Sequence, residues 1–521
     1  MGSVMAMFAL ISCTLPARAA TTYYVSQSTG NDANDGTHAP WKTLTKASQI
    51  TFTEGDRLLL KCGDTWTEGL ELKGNGSAAR PVMVSSYGTG PKPVIDRQDS
   101  SMTSLKRCVH LDGNAFGWKI MNLELANAAR GIEASVAQPG KSFLWLENLD
   151  IHGCKFGKRF DRDSGDQNNM QNGLRLETAG RLNKATIIAC TFRDDFVGAW
   201  ASGCCDIKDC RFEHSEWTGL WYVFAQGGRI TGNKFLHNCD QFVWCGVSAS
   251  ALYGITNCVV EDNEFGDTQV IAGAPDGEDL DFEAGCDNVI LRHNLFHGSA
   301  GPASMLYDAE GHNRPNSGVV IVDNVFSDAA LKPSAAHYNC TFLLFDGNSG
   351  AITNNRIYHR QGTPVFAGSA CPRVSRTGNV EIERGPKDSS YGSNEVRAAA
   401  VSASSNNADA AKVQDNNSAT GWKGTSPSNQ WVQIDFNQSR TLGEFLVEQA
   451  PESSINNFVL QSRDGASWKD IFSSQSPMGL RKFIPVLPVS TSRVRLLIHS
   501  TASGVPAINE FKAFDARTAS R

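Results

Sequence analysis

Eight short segments between residues 154 and 357 end in the same cadence. They read Cys-Lys-Phe at 154–156, Cys-Thr-Phe at 190–192, Cys-Arg-Phe at 210–212, Asn-Lys-Phe at 233–235, Asn-Glu-Phe at 263–265, Asn-Leu-Phe at 294–296, Asn-Val-Phe at 324–326 and Asn-Arg-Ile at 355–357. The intervals from Cys154 to Asn355 are 36, 20, 23, 30, 31, 30 and 31 residues. A repeat of that length means one small unit stacked on copies of itself. Short β-branched runs precede most of the triplets, and no long run has the 3.6-residue period of a helix. The unit is therefore strand and turn. Stacking it puts Asn263, Asn294, Asn324 and Asn355 in one column, each amide bonding the backbone of the next coil. Phe192, Phe212, Phe235, Phe265, Phe296 and Phe326 form a second column inside.

Each triplet is preceded by another strand, often opened by glycine: Gly131, Gly173, Gly198 and Gly219, then Asp279-Leu-Asp-Phe-Glu283, Met305-Leu-Tyr-Asp308 and Leu343-Leu-Phe-Asp346. These build one parallel sheet. This ladder resembles the right-handed parallel β-helix of the pectin-lyase-like superfamily, over residues 22–383. In that family the resemblance implies a helix over the open first coil, here within Trp41 to Ser48, and a substrate groove on the outer face of one sheet. The turns after 156 and 265, and residues 308–317, are long enough to wall the groove.

Residues 384–395 read as a linker. The remainder, 396–516, changes character. Val401-Ser-Ala-Ser, Asp415 through Trp422, Gln430-Trp-Val-Gln-Ile-Asp435, Phe458 through Trp468, Val494-Arg-Leu-Leu-Ile and Pro506 through Glu510 follow the order of discoidin or F5/8 type C modules. The resemblance implies an independently folding jelly-roll β-sandwich that binds carbohydrate. It also implies a structural Ca²⁺ at Asp415, Asn417, Thr420 and Glu510, whose hard oxygens suit that ion. The fold class is thus all-β, a right-handed parallel β-helix followed by a jelly roll.

Composition narrows the function. Charged residues make up 20% and the net charge is −6, so no basic footprint points to nucleic acid. Val4 to Leu15 and Ala17-Arg18-Ala19-Ala20 have the form of a signal peptide over residues 1–20, which places the protein in the periplasm or outside the cell. Leu10-Ile11-Ser12-Cys13 also has the form of a lipoprotein box, but leaves too short a leader. No later stretch is apolar enough to span a membrane. Without the leader 13 cysteines remain. Cys154, Cys190 and Cys210 occupy the ladder column as small buried residues; Cys204, Cys205, Cys239, Cys245 and Cys258 could pair if oxidised. No CxxC spacing argues for zinc.

The densest carboxylate run is Asp276-Gly-Glu278-Asp279-Leu-Asp281-Phe-Glu283. Alternation sends Leu280 and Phe282 inward, and Asp279, Asp281 and Glu283 onto the groove floor. Matching Phe282-Glu283 with Tyr307-Asp308 and Phe345-Asp346 places Asp308 and Asp346 in register above Glu283. Such close carboxylates cannot all ionise, which divides them into acid and base, as glycoside hydrolysis requires. Trp200, Trp221 and Arg175 fall on the same predicted face, where open indole faces would stack on sugar rings. Hydrolysis needs no cofactor. A lyase acting on uronates, with catalytic Ca²⁺ on the acidic stripe and Arg175, Arg314 or Lys332 as base, is the alternative. A non-catalytic sugar-binding adhesin is the second. The expected partner is a polysaccharide or oligosaccharide, bound by a monomer. Arg193-Asp194-Asp195 resembles the paired aspartates of polygalacturonase-like hydrolases, but the rest of that pattern is missing.

Overall fold

The computed structural model describes residues 19–99, 106–111, 113, 116–136, 143–155, 170–178, 184–241, 247–270, 276–308, 314–332, 339–384 and 394–516. The leader, Cys245, most of the linker, and most of the turns expected to wall the groove lie outside them.

Three parallel sheets of 13, 12 and 12 strands wrap residues 22–384 into a β-helix. Each coil contributes one strand to each sheet; Lys184–Ile188, Thr191–Arg193 and Val197–Ser202 make one complete circuit. The columns read from the sequence are present. Phe192, Phe212, Phe235, Phe265, Phe296 and Phe326 stack with ring centroids 4.6 to 5.0 Å apart. The Asn ladder is longer than expected. It begins at Asn233 and runs through Asn263, Asn294, Asn324 and Asn355 to Asn379, with each backbone N–H donating to the next side-chain oxygen at 2.8 to 3.0 Å. Every amide also donates to a carbonyl of the coil below, such as Asn263 Nδ2 to Ile230 O at 2.8 Å. A shorter ladder, Asn316 to Asn348, serves another turn. These bonds satisfy backbone groups that a buried turn would otherwise orphan.

Leu44–Ala47 is the expected helix, capped by Thr43, whose hydroxyl accepts from the Lys46 N–H at 3.1 Å. It buries Trp41, Leu44 and Ala47 over the first coil. Cys154, Cys190 and Cys210 are buried core thiols, and among the described residues every cysteine is free, including Cys204, Cys205, Cys239 and Cys258. No helix among the described residues is long and apolar enough to cross a membrane.

Residues 395–515 form an antiparallel β-sandwich around Trp422, Phe445, Phe458 and Phe511. It packs directly against the β-helix. Leu295, Val325 and Tyr358 of the β-helix belong to its hydrophobic core. Phe472 packs on the His297 ring with centroids 4.1 Å apart. At the centre Glu264, 8% exposed, accepts from the Ser473 N–H and faces His297 Nε2 at 3.2 Å and Lys234 Nζ at 3.4 Å. Lys234 also pairs with Asp470 at 2.7 Å, and Asp267 accepts from Ser474 Oγ at 2.8 Å. The sequence hides this seam because Leu295 and Val325 sit among the variable residues of the ladder triplets.

Candidate active site

The groove sheet carries an outward column that includes Asp281. Glu133, Arg175, Trp200, Trp221, Ala251, Asp281, Met305 and Leu343 are successive rungs. Rungs lie about 4.8 Å apart. The strand Val247–Tyr253 was not legible in the sequence, and it inserts Ala251 between Trp221 and Asp281. A methyl group there, with an indole on one side and a carboxyl on the other, keeps the floor low beside Asp281.

Leu280 and Phe282 enter the core as expected, both fully buried. Asp281 and Glu283 point out of the coil, side by side along Asp276–Glu283. Asp281 is nonetheless only 3% exposed. Burial raises its pKa well above the usual carboxylate range; the negative charge of Glu283, a hydrogen bond to Glu283, and the charges of Glu278 and Asp276 push the same way. Burial and neighbouring negative charge thus favour the neutral form of Asp281.

Glu278 joins this group, a residue to which the strand's simple alternation assigns no groove role. Asp276 and Gly277 have φ of +74° and +88°, and the pairing with Val247 and Ser248 slips there as a bulge. A bulge resets the alternation. The Asp-Gly pair was the available signal. Glu278 is buried, and burial together with Asp276, Glu283 and Asp279 raises its pKa. Glu278 Oε2 and Asp281 Oδ1 are buried without a protein partner.

Other expected site residues are placed differently. Asp279 is completely buried off the groove floor: its Oδ1 accepts from Thr268 Oγ1, in the turn column that continues through Ser299. Burial pushes its pKa up, with the Thr268 bond opposing. Asp308 and Asp346 do not stand over Glu283. Phe282 pairs with Leu306, which is buried, so Met305 and Tyr307 face outward and Asp308 falls one position beyond the column. Tyr307 and Phe345 meet edge to face on the outer surface, centroids 4.9 Å apart. Matching aromatic–acidic pairs misled because those two rings are exterior, while Phe282 is core. Asp308 keeps a buried, unpartnered Oδ1; Asp346 is exposed.

The tryptophans are less open than expected. Trp200 is 8% exposed, with the Arg175 guanidinium 4.2 Å from its ring centre and Trp221 at 4.7 Å. Trp217 sits edge-on to Trp221, also at 4.7 Å. This cluster is a wall, and stacking a sugar on Trp200 would require displacing neighbours. Trp221 remains half-buried, and its Nε1–H is buried without an acceptor. Arg175 is buried and donates from Nε to Glu177 at 2.7 Å. Asp195 is buried in a turn, accepting from the Cys154 N–H at 2.8 Å, well away from the groove column.

In the sandwich the four residues of the expected Ca²⁺ site converge in part. Asp415 accepts from the Asn417 N–H at 2.8 Å and from Thr420 Oγ1 at 2.6 Å. Glu510 is 3% exposed, and both its carboxylate oxygens are buried without a hydrogen-bond donor; Lys512 Nζ is 3.8 Å away. Burial raises the Glu510 pKa to about 7, Asp415 and Glu448 adding to it and Lys512 opposing. A carboxylate with two orphaned oxygens near a turn of Asp, Asn and Thr oxygens fits a hard cation.

Comparison with known proteins agrees with this architecture. Residues 162–315 match the family described as right handed beta helix region, and residues 397–511 match the F5/8 type C domain. The chain therefore carries a right-handed parallel β-helix and an F5/8 type C domain. A lacto-N-biosidase of Bifidobacterium longum subsp. longum is 44% identical over 173 residues, 27% of this chain and 10% of its own. The chain thus spans about a tenth of that relative's length. Crystal structures of the GH136 lacto-N-biosidase from Eubacterium ramulus, as selenomethionine derivative and native protein, superpose with TM-scores of 0.52 and 0.50. They are 17% identical, covering 70% of this chain and 68% of theirs, which shows a shared fold.

Proposed function

We propose that this chain is an exported glycoside hydrolase whose acid–base pair is Asp281 and Glu283. The observation that carries the reading is the Asp281 carboxyl, buried beside Glu283 on the outer face of the groove sheet, where burial and then the Glu283 charge raise its pKa. A carboxylic acid kept neutral is what protonation of a glycosidic oxygen requires. Burial first, and the neighbouring Glu283 charge second, favour that protonated form. Asp281 donates to the leaving oxygen, and Glu283 attacks the anomeric carbon or activates water. Glycosidase carboxyl pairs stand about 5–5.5 Å or 6.5–9.5 Å apart. Two groups within hydrogen-bonding reach are closer, so an entering sugar must separate them. The two lacto-N-biosidase relatives support this chemistry and suggest glycans bearing lacto-N-biose as the first substrates to test.

A β-eliminating mechanism has less support. Its groove-strand base would be Arg175, which is buried, bound to Glu177 and stacked on Trp200. The F5/8 type C domain serves as a glycan-binding module, and Asp415, Asn417, Thr420 and Glu510 would hold a structural Ca²⁺ that supplies charge to Glu510 and orders the turn. The test is product analysis on a glycan panel that includes lacto-N-biose termini. Hydrolysis yields new reducing ends with no absorbance near 235 nm; an unsaturated product would establish the lyase instead, and no product on any glycan would leave a binding protein.

A further inference from the structure

Within the β-helix a third column lies at the turn that follows the sheet facing the sandwich. Asn127, Gly153, Asp194, His214, His237, Asp267, Gly298 and Asp328 occupy its rungs, all with φ between +51° and +73°. That left-handed conformation favours Gly, Asn and Asp. Six of these rungs obey the preference, and two consecutive ones carry histidine, both half-buried.

The two imidazoles lie next to each other across coils, tilted by 43° with centroids 4.7 Å apart. Asp240, three residues after His237, reaches the same point: its Oδ2 is 3.5 Å from His214 Nδ1. Ring nitrogens and carboxylate all lie within 4.8 Å of one another, the sole such set of three among the described residues. His237 Nδ1 and Asp240 Oδ1 are buried and lack any hydrogen-bond partner. Two unsatisfied atoms converging on a third ligand are costly unless something else occupies the space. His214 is oriented from outside: its Nε2 meets Gln475 Oε1 of the sandwich at 2.6 Å. A second partner fixing the far nitrogen is how metal-binding histidines are held.

We propose that His214, His237 and Asp240 form a binding site for a divalent transition-metal ion of the zinc class, clamped at the seam between β-helix and sandwich. Two imidazoles and one carboxylate with an open fourth position are a zinc-type ligand set. Tetrahedral ligands at about 2.0–2.2 Å from the ion lie roughly 3.4 Å apart. Only small side-chain rotations close the present 4.8 Å spread to that value. The site shares no residue with the carboxylates of the groove and is independent of the hydrolase reading. Its role is structural. Through Gln475 the ion ties two coils of the β-helix to the docked domain. The spacing is invisible in the sequence because the histidines stand 23 residues apart, one coil, instead of within one short motif.

The test uses the full chain, stripped with chelator and kept in excess Ca²⁺ to saturate the sandwich turn. Co²⁺ is titrated and its visible d–d bands recorded, then Zn²⁺ is added in competition. The expected result is a single equivalent of Co²⁺ in a low-symmetry N/O environment, displaced by Zn²⁺, together with a rise in melting temperature. His214→Asn and His237→Asn keep a residue suited to the left-handed rung, so both variants should fold and lose the bands. Gln475→Ala, which removes only the outer partner, should weaken binding by about 10- to 100-fold. Absence of a saturable Co²⁺ spectrum in the wild-type protein overturns the proposal. So does the same spectrum in both histidine variants, which would place the ion on a free thiol.

Discussion

Glu264 is the residue whose removal should most clearly separate a docked domain from a tethered one. Burial alone would raise its pKa, yet Lys234 and His297, with the Ser473 N–H, hold it down to about 2 from the ordinary 4.5. A folded pKa below the unfolded value contributes stability that is complete above about 4.5 and is lost as pH falls toward 2. At about 1.4 kcal/mol per pH unit the contribution is roughly 3 kcal/mol. Glu264→Gln keeps the shape and the Ser473 contact. It leaves Lys234 with Asp470 and Ser473 Oγ, both at 2.7 Å, so the buried ammonium is not abandoned. The expected loss is therefore about 2–3 kcal/mol at pH 7, below the full 3–5 kcal/mol of stranding a buried charge. Calorimetric melts from pH 7 to pH 3 measure it. The wild-type protein should lose stability below pH 4.5, and the variant should start lower and lose less. Equal melting temperatures at pH 7, or identical acid slopes, would refute the idea that this ion network holds the domains together.

Three further outcomes follow from the same structure. Asn294→Ala deletes the acceptor of the Asn263 N–H and the donor to Val260 O, both buried, and should cost about 2–5 kcal/mol in chemical denaturation; Asn379→Ala, at the less buried end of the ladder, should cost less. Deleting residues 395–521 uncovers Leu295, Val325 and Tyr358, so the truncated β-helix should aggregate or bind a hydrophobic dye where the intact chain does not. Glu510→Gln should abolish any Ca²⁺-dependent rise in melting temperature, and it should itself be stabilising in EDTA, because a buried carboxyl with a pKa near 7 opposes folding as pH rises through the range from 4.5 to 7.

The architecture was legible because it repeats. A column that stacks Asn on Asn and Phe on Phe writes the same letter at every coil, so the ladder and the aromatic core could be read directly. The acidic strand was legible for the same reason, since Leu280 and Phe282 fix which face Asp281 and Glu283 take. What failed was register between coils. Tyr307-Asp308 has the pattern of Phe282-Glu283, but core volume selects Leu306 to stack on Phe282, and that one-residue step moves Asp308 off the column. Contacts without periodicity left no trace: the Arg175 cover on Trp200, the bulge that brings in Glu278, and the seam at Glu264. The turn from Asp415 to Thr420 could be singled out because its residues lie close together in the chain, whereas Glu510 was carried to it only by the resemblance to F5/8 type C modules.

The central claim is that Asp281 is the proton donor of a hydrolase. Turnover of Asp281→Asn against wild-type protein, on a glycan the wild type cleaves, tests it most directly. The amide preserves shape and, like the neutral acid, carries no charge in the buried site, so the variant should fold with a melting temperature at pH 7 no lower than the wild type's. Loss of one acid–base group should lower turnover by about two to four orders of magnitude, roughly 3–5 kcal/mol of barrier. A folded Asp281→Asn protein that hydrolyses the same glycan at the wild-type rate would contradict the account.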